Sequence, residues 1–336
     1  MENAAMLQST ESKKKSDLHK KAGDLFFAHT IKRQIHSELC SMGGLLNLGI
    51  TDEPLHTIYR TAALQLLEIE KLFSERAIDP FVEIRTSCDD SILPELKKTV
   101  RIGVYPLAAN PFHWGHLLIG LSAIARLKLD KVVYVIAGHD VRKPDLAPAE
   151  IRHPMAQDVL KMFEPLFCYS SVALDTDYDG ETNLLRILSL NPLQKIEAFY
   201  LAGADHYRRC YPGTQYPDTI QKLEDNMFGA AQGFNENIHS ISAAFIERGT
   251  HEGIFDTFLN VQFLPAMPFK ASSTMIREAF EGKRDGKALA ILPYTAYVDI
   301  RAFNLYSPFT KPEDVFMTSP VVPEPAYTHK LEPAAL

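Results

Sequence analysis

The chain has few cysteines, and their spacing excludes two common classes of small structural site. Four are present, at positions 40, 88, 168 and 210, and no two of them form a Cys-x-x-Cys pair. This spacing argues against a zinc ribbon and against a disulfide scaffold, and it is typical of a reducing compartment. No apolar run approaches the ~20 residues of a membrane-spanning helix, and the N-terminus lacks the apolar core of a signal peptide. We therefore expect a cytoplasmic protein with no membrane contact.

The charge balance shows no excess of basic residues. Lys and Arg number 35, against 42 for Asp and Glu, which gives a formal net charge of -7. A mildly acidic chain is a poor general binder of nucleic acid, so any phosphate chemistry should be confined to a local site. The sequence contains no internal repeat, and it leaves the oligomeric state open, a homo-oligomer included.

Three regions of the chain differ in their sequence pattern. Residues 1–98 carry helical periodicity without recognisable chemistry, so we expect a helical N-terminal appendage whose role the sequence does not reveal. Residues 99–306 alternate between strand-like and helix-like segments, which predicts a parallel sheet with helices on both faces. Residues 307–336 are rich in proline and are expected to form a disordered tail. The predicted fold class is α/β, a Rossmann-like doubly wound parallel sheet.

The most informative stretch is Asn110-Pro-Phe-His113-Trp-Gly-His116, which lies between a predicted strand and an apolar helix. Asn-Pro is typical of a turn, and histidines three residues apart fall on one face of a helix. Gly115 between them allows a ligand to approach the backbone closely. Because a helix N-terminus presents unpaired N–H groups and a positive dipole end, this stretch predicts a phosphate site. Two ordinary polar residues at a helix start are the alternative interpretation.

A second motif, Ser272-Ser273-Thr274-x-x-Arg277, follows about 160 residues later. Serine and threonine are good helix caps, so a capped helix is the simplest interpretation. No acidic residue stands three positions after either serine, so the motif does not form a capping box. Arg277 is suited to forked contact with phosphate oxygens, and the motif therefore predicts a second anion-binding helix start.

Together the two motifs resemble the signatures of the nucleotidylyltransferase superfamily, and more narrowly those of the nicotinamide/nicotinate mononucleotide adenylyltransferase family. Gly203 and Asp205 are similar to its Gly-x-Asp element, and Arg248 to its arginine near the triphosphate. Thr182 resembles the threonine at a helix start near the acceptor nucleotide. The resemblance covers about residues 100–307. It implies a nucleotidyltransferase that joins ATP to either mononucleotide, forming NAD or its deamido form and releasing pyrophosphate.

The resemblance also implies roles for individual residues. His113, His116 and Arg277 are expected to be catalytic, with the histidines donating to the α- and β-phosphate oxygens. Thr182 and Trp114 are expected to contact the acceptor. Mg²⁺ is expected to be carried on the ATP phosphates, with no metal site built by the protein. The predicted ATP-binding residues are Asn110, Gly115, Lys143, Gly203, Asp205, Arg248, Ser272, Ser273 and Thr274.

Two departures from the family pattern leave the acceptor open. The family's Gly-x-Phe before Asn-Pro is replaced by Leu-Ala-Ala, and the only tryptophan is Trp114, inside the histidine motif. A related transferase that uses CTP or another phosphate acceptor is therefore an alternative. A non-catalytic nucleotide sensor is a second alternative, from a different functional class. The sequence does not distinguish nicotinamide from nicotinate mononucleotide.

Overall fold

The computed structural model describes most of the chain. The described residues are 27–88, 99–139, 143, 145–175, 180–204, 222–225, 238–247 and 259–307. Asp205, Arg248 and nearly all of the predicted proline-rich tail lie outside these ranges, so their predictions are not tested.

Six parallel strands form one sheet within the described residues. Their order is β3-β2-β1-β4-β5-β6, and each neighbouring pair is parallel. This is the strand order of a doubly wound, dinucleotide-binding type of sheet, so the predicted fold class is confirmed. The strands are β1 (Val100–Leu107), β2 (Lys131–Ile136), β3 (Phe167–Ser170), β4 (Ile196–Gly203), β5 (His239–Ile246) and β6 (Asn260–Leu264).

Helices cover both faces of this sheet. Side chains of β2 alternate between two hydrophobic clusters: Val132 and Tyr134 face one cluster, whereas Val133 faces the other. All six residues of β2 are buried, as expected for a strand covered on both faces. The helices are α1 (Phe27–Leu46), α2 (Leu55–Ser74), α3 (Trp114–Leu127), α4 (Ala149–Lys161), α5 (Gly180–Ser189), α6 (Ser273–Phe280), a 3₁₀ helix (Gly286–Ile291) and α7 (Tyr294–Ala302).

The N-terminal helices share a hydrophobic core with the helix that carries the histidines. Ile35 of α1 and Ile69 of α2 are fully buried in the same cluster as Leu117 of α3. The division of the chain near residue 98 stays a prediction, because residues 89–98 are not described. Among the described helices, none combines the length and apolarity that crossing a membrane requires.

The sheet topology determines where a ligand can bind. β1 pairs with β2 on one side and β4 on the other, so the direction of winding reverses at β1. In open α/β sheets, ligands bind beyond the carboxyl ends of the strands at such a reversal. The loop carrying the histidine motif follows β1, and Gly203 ends β4, so both lie at this edge.

Candidate functional site

The loop after β1 is held in an unusual backbone conformation by contacts of Asn110. Ala109 has a φ of 49°, in the left-handed region that residues other than glycine seldom adopt. The Asn110 Oδ1 accepts hydrogen bonds from the Ala147 N–H at 3.1 Å and the Tyr306 hydroxyl at 2.7 Å. Its Nδ2 donates to the Asp145 carbonyl at 3.2 Å. These contacts hold the loop in this conformation, and the contact of Asn110 with a nucleotide stays a prediction.

The two histidines meet at the first turn of α3. His113 is the N-cap residue, and its ring stacks on that of His116 with centroids 3.6 Å apart. The His113 N–H donates to Nδ1 of His116 at 3.3 Å. Since Nδ1 of His116 accepts this hydrogen bond, a neutral His116 ring carries its hydrogen on Nε2. That N–H is a donor of the kind that binds phosphate oxygens.

Gly115 is required by close packing at this turn. A Cβ at this position would lie 2.9 Å from the Ala271 Cβ and 2.9 Å from Nδ1 of His113. The absence of a side chain therefore lets the histidine ring and the segment before α6 come together. The predicted approach of a ligand to Gly115 is not tested by this geometry.

The two sequence motifs come together at the edge of the sheet. The Ser273 hydroxyl donates to the Pro111 carbonyl at 2.9 Å, and the Arg277 guanidinium donates to the Asn110 carbonyl at 2.7 Å. These bonds join positions 162 and 167 residues apart in the sequence. The N-terminus of α6 therefore lies directly against the loop that leads into α3.

The start of α6 has one side-chain cap, from Ser272, and an arginine at its edge. Ser272 accepts a hydrogen bond from the Met275 N–H at 3.2 Å, which is the ordinary capping geometry. Thr274 is exposed, and its hydroxyl accepts a hydrogen bond from Arg277 at 3.4 Å. Because Thr274 and Arg277 lie on the same side of the helix, a bound anion could contact both.

A cleft of about 300 Å³ opens beside Arg277. Three of its lining residues are acidic, so a bare polyphosphate would meet like charge on this side of the arginine. The N-termini of α3 and α6, which present N–H groups and positive dipole ends, are the better phosphate position. The residues lining the cleft are Asp145, Thr274, Arg277, Glu278, Glu281 and Tyr306.

Three further predicted residues of the described ranges lie at or near the same edge. Gly203 is buried at the end of β4, Thr182 is half-buried in the first turn of α5, and Lys143 is exposed in the loop after β2. Gly180, at the start of α5, packs against β1, since a Cβ there would lie 2.6 Å from Pro106. Thr182, two residues further along α5, therefore lies near the carboxyl end of β1, and its contact with an acceptor stays a prediction.

Trp114 does not face a ligand site. Its side chain is fully buried in the core, where its ring packs edge-on against Phe163 with centroids 6.4 Å apart. A ring with no exposed surface has no face on which a pyridine could stack. This burial argues against the predicted contact of Trp114 with the acceptor.

Two residues outside the predicted set support the site. The hydroxyl of the half-buried Tyr306 donates to Asn110, and desolvation raises the pKa of Tyr306 well above its ordinary value. Arg152 is fully buried, and burial lowers the pKa of its guanidinium. In the sequence, Arg152 is recognisable as a charged residue on the apolar face of α4, between Ile151 and Met155.

Metal ligands are not clustered in the described part of the chain. Within these ranges, no group of three or more His, Cys, Asp or Glu side chains is arranged to hold a metal ion.

Comparison with known proteins identifies bacterial relatives. No protein-family model matches the chain. A "probable nicotinate-nucleotide adenylyltransferase" of Thermus thermophilus is 37% identical over 112 residues, which are 32% of this chain and 58% of the relative. A Thermoanaerobacter protein of the same description is 24% identical over 214 residues, 63% of this chain and 96% of the relative. Among solved structures, Plasmodium falciparum nicotinic acid mononucleotide adenylyltransferase complexed with NaAD has a TM-score of 0.46 at 15% identity, covering 62% of this chain and 97% of that one.

The curated relatives confirm the predicted family resemblance: the chain is similar in sequence to nicotinate-nucleotide adenylyltransferases. It spans 58% of the length of the Thermus relative and 96% of the Thermoanaerobacter relative.

Proposed function

We propose that this chain, a sequence relative of the nicotinate-nucleotide adenylyltransferases, transfers the adenylyl group of ATP to a pyridine mononucleotide. The products are a dinucleotide, NAD or its deamido form, and pyrophosphate, which makes the reaction a step of NAD biosynthesis. The observation that carries the proposal is the junction of the two helix starts, where Arg277 donates to Asn110 and Ser273 to Pro111. Two N-termini facing one loop suit a single polyphosphate better than two separate anions.

The proposed chemistry is a direct displacement at phosphorus. An oxygen of the acceptor's 5′-phosphate attacks the α-phosphorus of ATP. The bond from that phosphorus to the oxygen bridging to the β-phosphate breaks, and pyrophosphate leaves with the electron pair. Such a transfer needs alignment and charge neutralisation rather than covalent help from the protein. Mg²⁺ enters with ATP as part of the substrate and retains mostly water ligands.

Each group at the site has a role in this displacement. His113 and His116 donate to oxygens on the α- and β-phosphates, where negative charge increases in the transition state. Arg277 and the N–H groups at the start of α6 hold the departing pyrophosphate. Thr182 lies on the acceptor side, near the end of β1. The acidic lining beside Arg277 is compatible with a polyphosphate whose charge is reduced by Mg²⁺.

The burial of Trp114 favours a second candidate, transfer to a different phosphate-bearing acceptor. A stacking contact between a pyridine ring and Trp114 is not available, because the indole is fully buried. The names of the curated relatives make nicotinate mononucleotide the first acceptor to test, followed by the nicotinamide form and then by other phosphate acceptors.

The first experiment incubates the purified full chain with ATP, MgCl₂ and each mononucleotide separately. We expect a dinucleotide of the corresponding mass and an equal amount of pyrophosphate, measured by mass spectrometry and a pyrophosphate assay. Pyrophosphate release only with another phosphate acceptor would support the second candidate. The absence of turnover with every acceptor would contradict both.

The second experiment tests whether the histidines act in turnover. For His116→Ala we expect kcat to fall by about 10²–10³, because one donor to the transition-state charge is removed. The affinity for ATP, measured by calorimetry, should change far less. His29→Ala, at an exposed position on α1, is the control and should retain wild-type kcat. A non-catalytic sensor would instead lose ATP affinity alone.

A further inference from the structure

Arg152 makes an unusual set of contacts for a buried cation. Its side chain has no exposed surface, and its four hydrogen bonds all go to backbone carbonyls. Nε donates to Ala147 at 2.6 Å, Nη1 to Ala108 at 2.6 Å and to Ala137 at 2.8 Å, and Nη2 to Gly138 at 2.5 Å. Four of the five N–H groups of the guanidinium are used in this way.

These carbonyls belong to three separate segments of the chain. Ala108 is the first residue after β1 and begins the loop that carries the histidine motif. Ala137 and Gly138 directly follow β2, and Ala147 lies just before α4. A planar guanidinium holds its donors in fixed directions, so it fixes the positions of these segments relative to one another.

The same segments are joined a second time next to the site. The Asn110 side chain receives the Ala147 N–H, while Arg152 binds the carbonyl of that residue. The Asn110 backbone carbonyl in turn accepts the hydrogen bond from Arg277. A displacement of Ala108 or Ala147 would therefore move both the loop before His113 and the partner of Arg277.

Packing stability alone does not account for an arginine at this position. Removing a guanidinium from water is costly, and a buried apolar side chain of similar volume avoids that cost. The lowered pKa of Arg152 has the direction expected from this desolvation, with Tyr306 and Glu150 partly offsetting it. A rigid set of directed donors is what arginine provides here and methionine does not.

We propose that Arg152 is a positioning residue for the phosphate-binding histidines, which it holds in place through the carbonyls at the ends of β1 and β2. The kinetic part of this inference rests on the proposed function. The structural part, that Arg152 fixes the loop leading to His113, is independent of it.

The kinetic test compares two arginines of the full chain. For Arg152→Met we expect kcat per folded molecule to fall by about 10², the size of effect that a small misplacement of reacting groups produces, with little change in KM for ATP. Arg152→Lys should recover part of the loss, because lysine retains the charge and three donors but not the fork. Arg101→Met is the control, since Arg101 donates to the Leu127 carbonyl near the opposite end of β1 and should leave kcat unchanged.

A double-mutant cycle distinguishes a positioning role of Arg152 from a general loss of active structure. If Arg152 acts through the histidines, Arg152→Met should cost only a few-fold in kcat when His116 is already alanine, against about 10² in the wild-type background. A merely structural role would give the same loss in both backgrounds, and that result would overturn the proposal.

Hydrogen–deuterium exchange tests the structural part without any turnover. Peptides covering residues 108–116 should exchange faster in Arg152→Met than in the wild type, and not in Arg101→Met. If Arg152→Met fails to fold, the exchange rates of Arg152→Lys are compared with those of the wild type instead. Unchanged exchange in a folded Arg152 variant would overturn the proposal. Faster exchange combined with no turnover in the wild type would support the positioning of the loop and contradict the proposed function instead.

Discussion

At the scale of single residues, the geometry predicts most directly the effect of substituting Gly115. In Gly115→Ala the added methyl would lie 2.9 Å from Ala271 and from the His113 ring, so one of them has to move. Overpacking of this kind costs about 1–3 kcal/mol in the free energy of unfolding. We also expect kcat to fall, because the displaced ring is one of the proposed phosphate donors. Urea unfolding and steady-state kinetics measure the two effects.

Gly44→Ala is the matched control for this substitution. Gly44 lies in α1, and no atom stands within 4 Å of the position that its Cβ would take. Alanine should therefore raise the free energy of unfolding by about 0.5–1 kcal/mol through its better helix propensity, with kcat unchanged. Equal effects of the two substitutions would contradict the packing explanation for Gly115.

For single residues, the residue type alone predicted some positions in the structure and not others. The residue types of Ser273 and Arg277 suit phosphate, and the sequence placed them at a second helix start. The structure brings that helix start against the loop before His113. The sequence did not predict the occupation of Asn110 by Tyr306 and Ala147, or the burial of Trp114. Such contacts depend on neighbours distant in sequence, which a local motif does not contain.

At the scale of secondary-structure elements, α1 provides the cap of α7. The Glu38 carboxylate accepts hydrogen bonds from the Thr295 N–H at 2.9 Å and the Thr295 hydroxyl at 2.8 Å. The N-cap residue of α7 is Pro293, which contributes no side-chain cap. Glu38→Ala should therefore lower the free energy of unfolding by about 1–2 kcal/mol, as the loss of a helix cap does. Glu68→Ala, at an exposed position of α2, is the control and should have little effect in the same urea titration.

The elements themselves were predictable, whereas this contact between them was not. The period-3.6 pattern identified α2, and near-continuous apolar runs identified the buried strands β2 and β4, because each pattern is local to the element. The Glu38–Thr295 contact joins positions 257 residues apart, and nothing in either segment indicates the other. The sequence of the predicted N-terminal appendage therefore did not indicate that its apolar face packs in the same hydrophobic core as α3.

At the scale of the whole molecule, stability should depend on pH through buried histidines. Burial lowers the pKa of His153 from 6.5 to about 4, and it also lowers the pKa of His239. His153 lies 2.6 Å from the Tyr169 hydroxyl through Nδ1 and 3.3 Å from the Ala137 carbonyl through Nε2. A neutral ring that donates from Nε2 and accepts at Nδ1 satisfies both contacts, and protonation would remove the acceptor.

The direction of this pH dependence follows from proton binding in the two states. Below pH 6.5 the unfolded chain protonates His153, while the folded protein does not until about pH 4, so the free energy of unfolding decreases as the pH falls through this interval. Between pH 7 and pH 5 we expect His153 to contribute a loss of about 2 kcal/mol. His153→Gln, which retains a donor and an acceptor but does not titrate, should lose less stability over the same interval in urea titrations. His29→Gln, at an exposed position, is the control and should retain the pH dependence of the wild type. If His153→Gln also retained the pH dependence of the wild type, His153 would not be the titrating group.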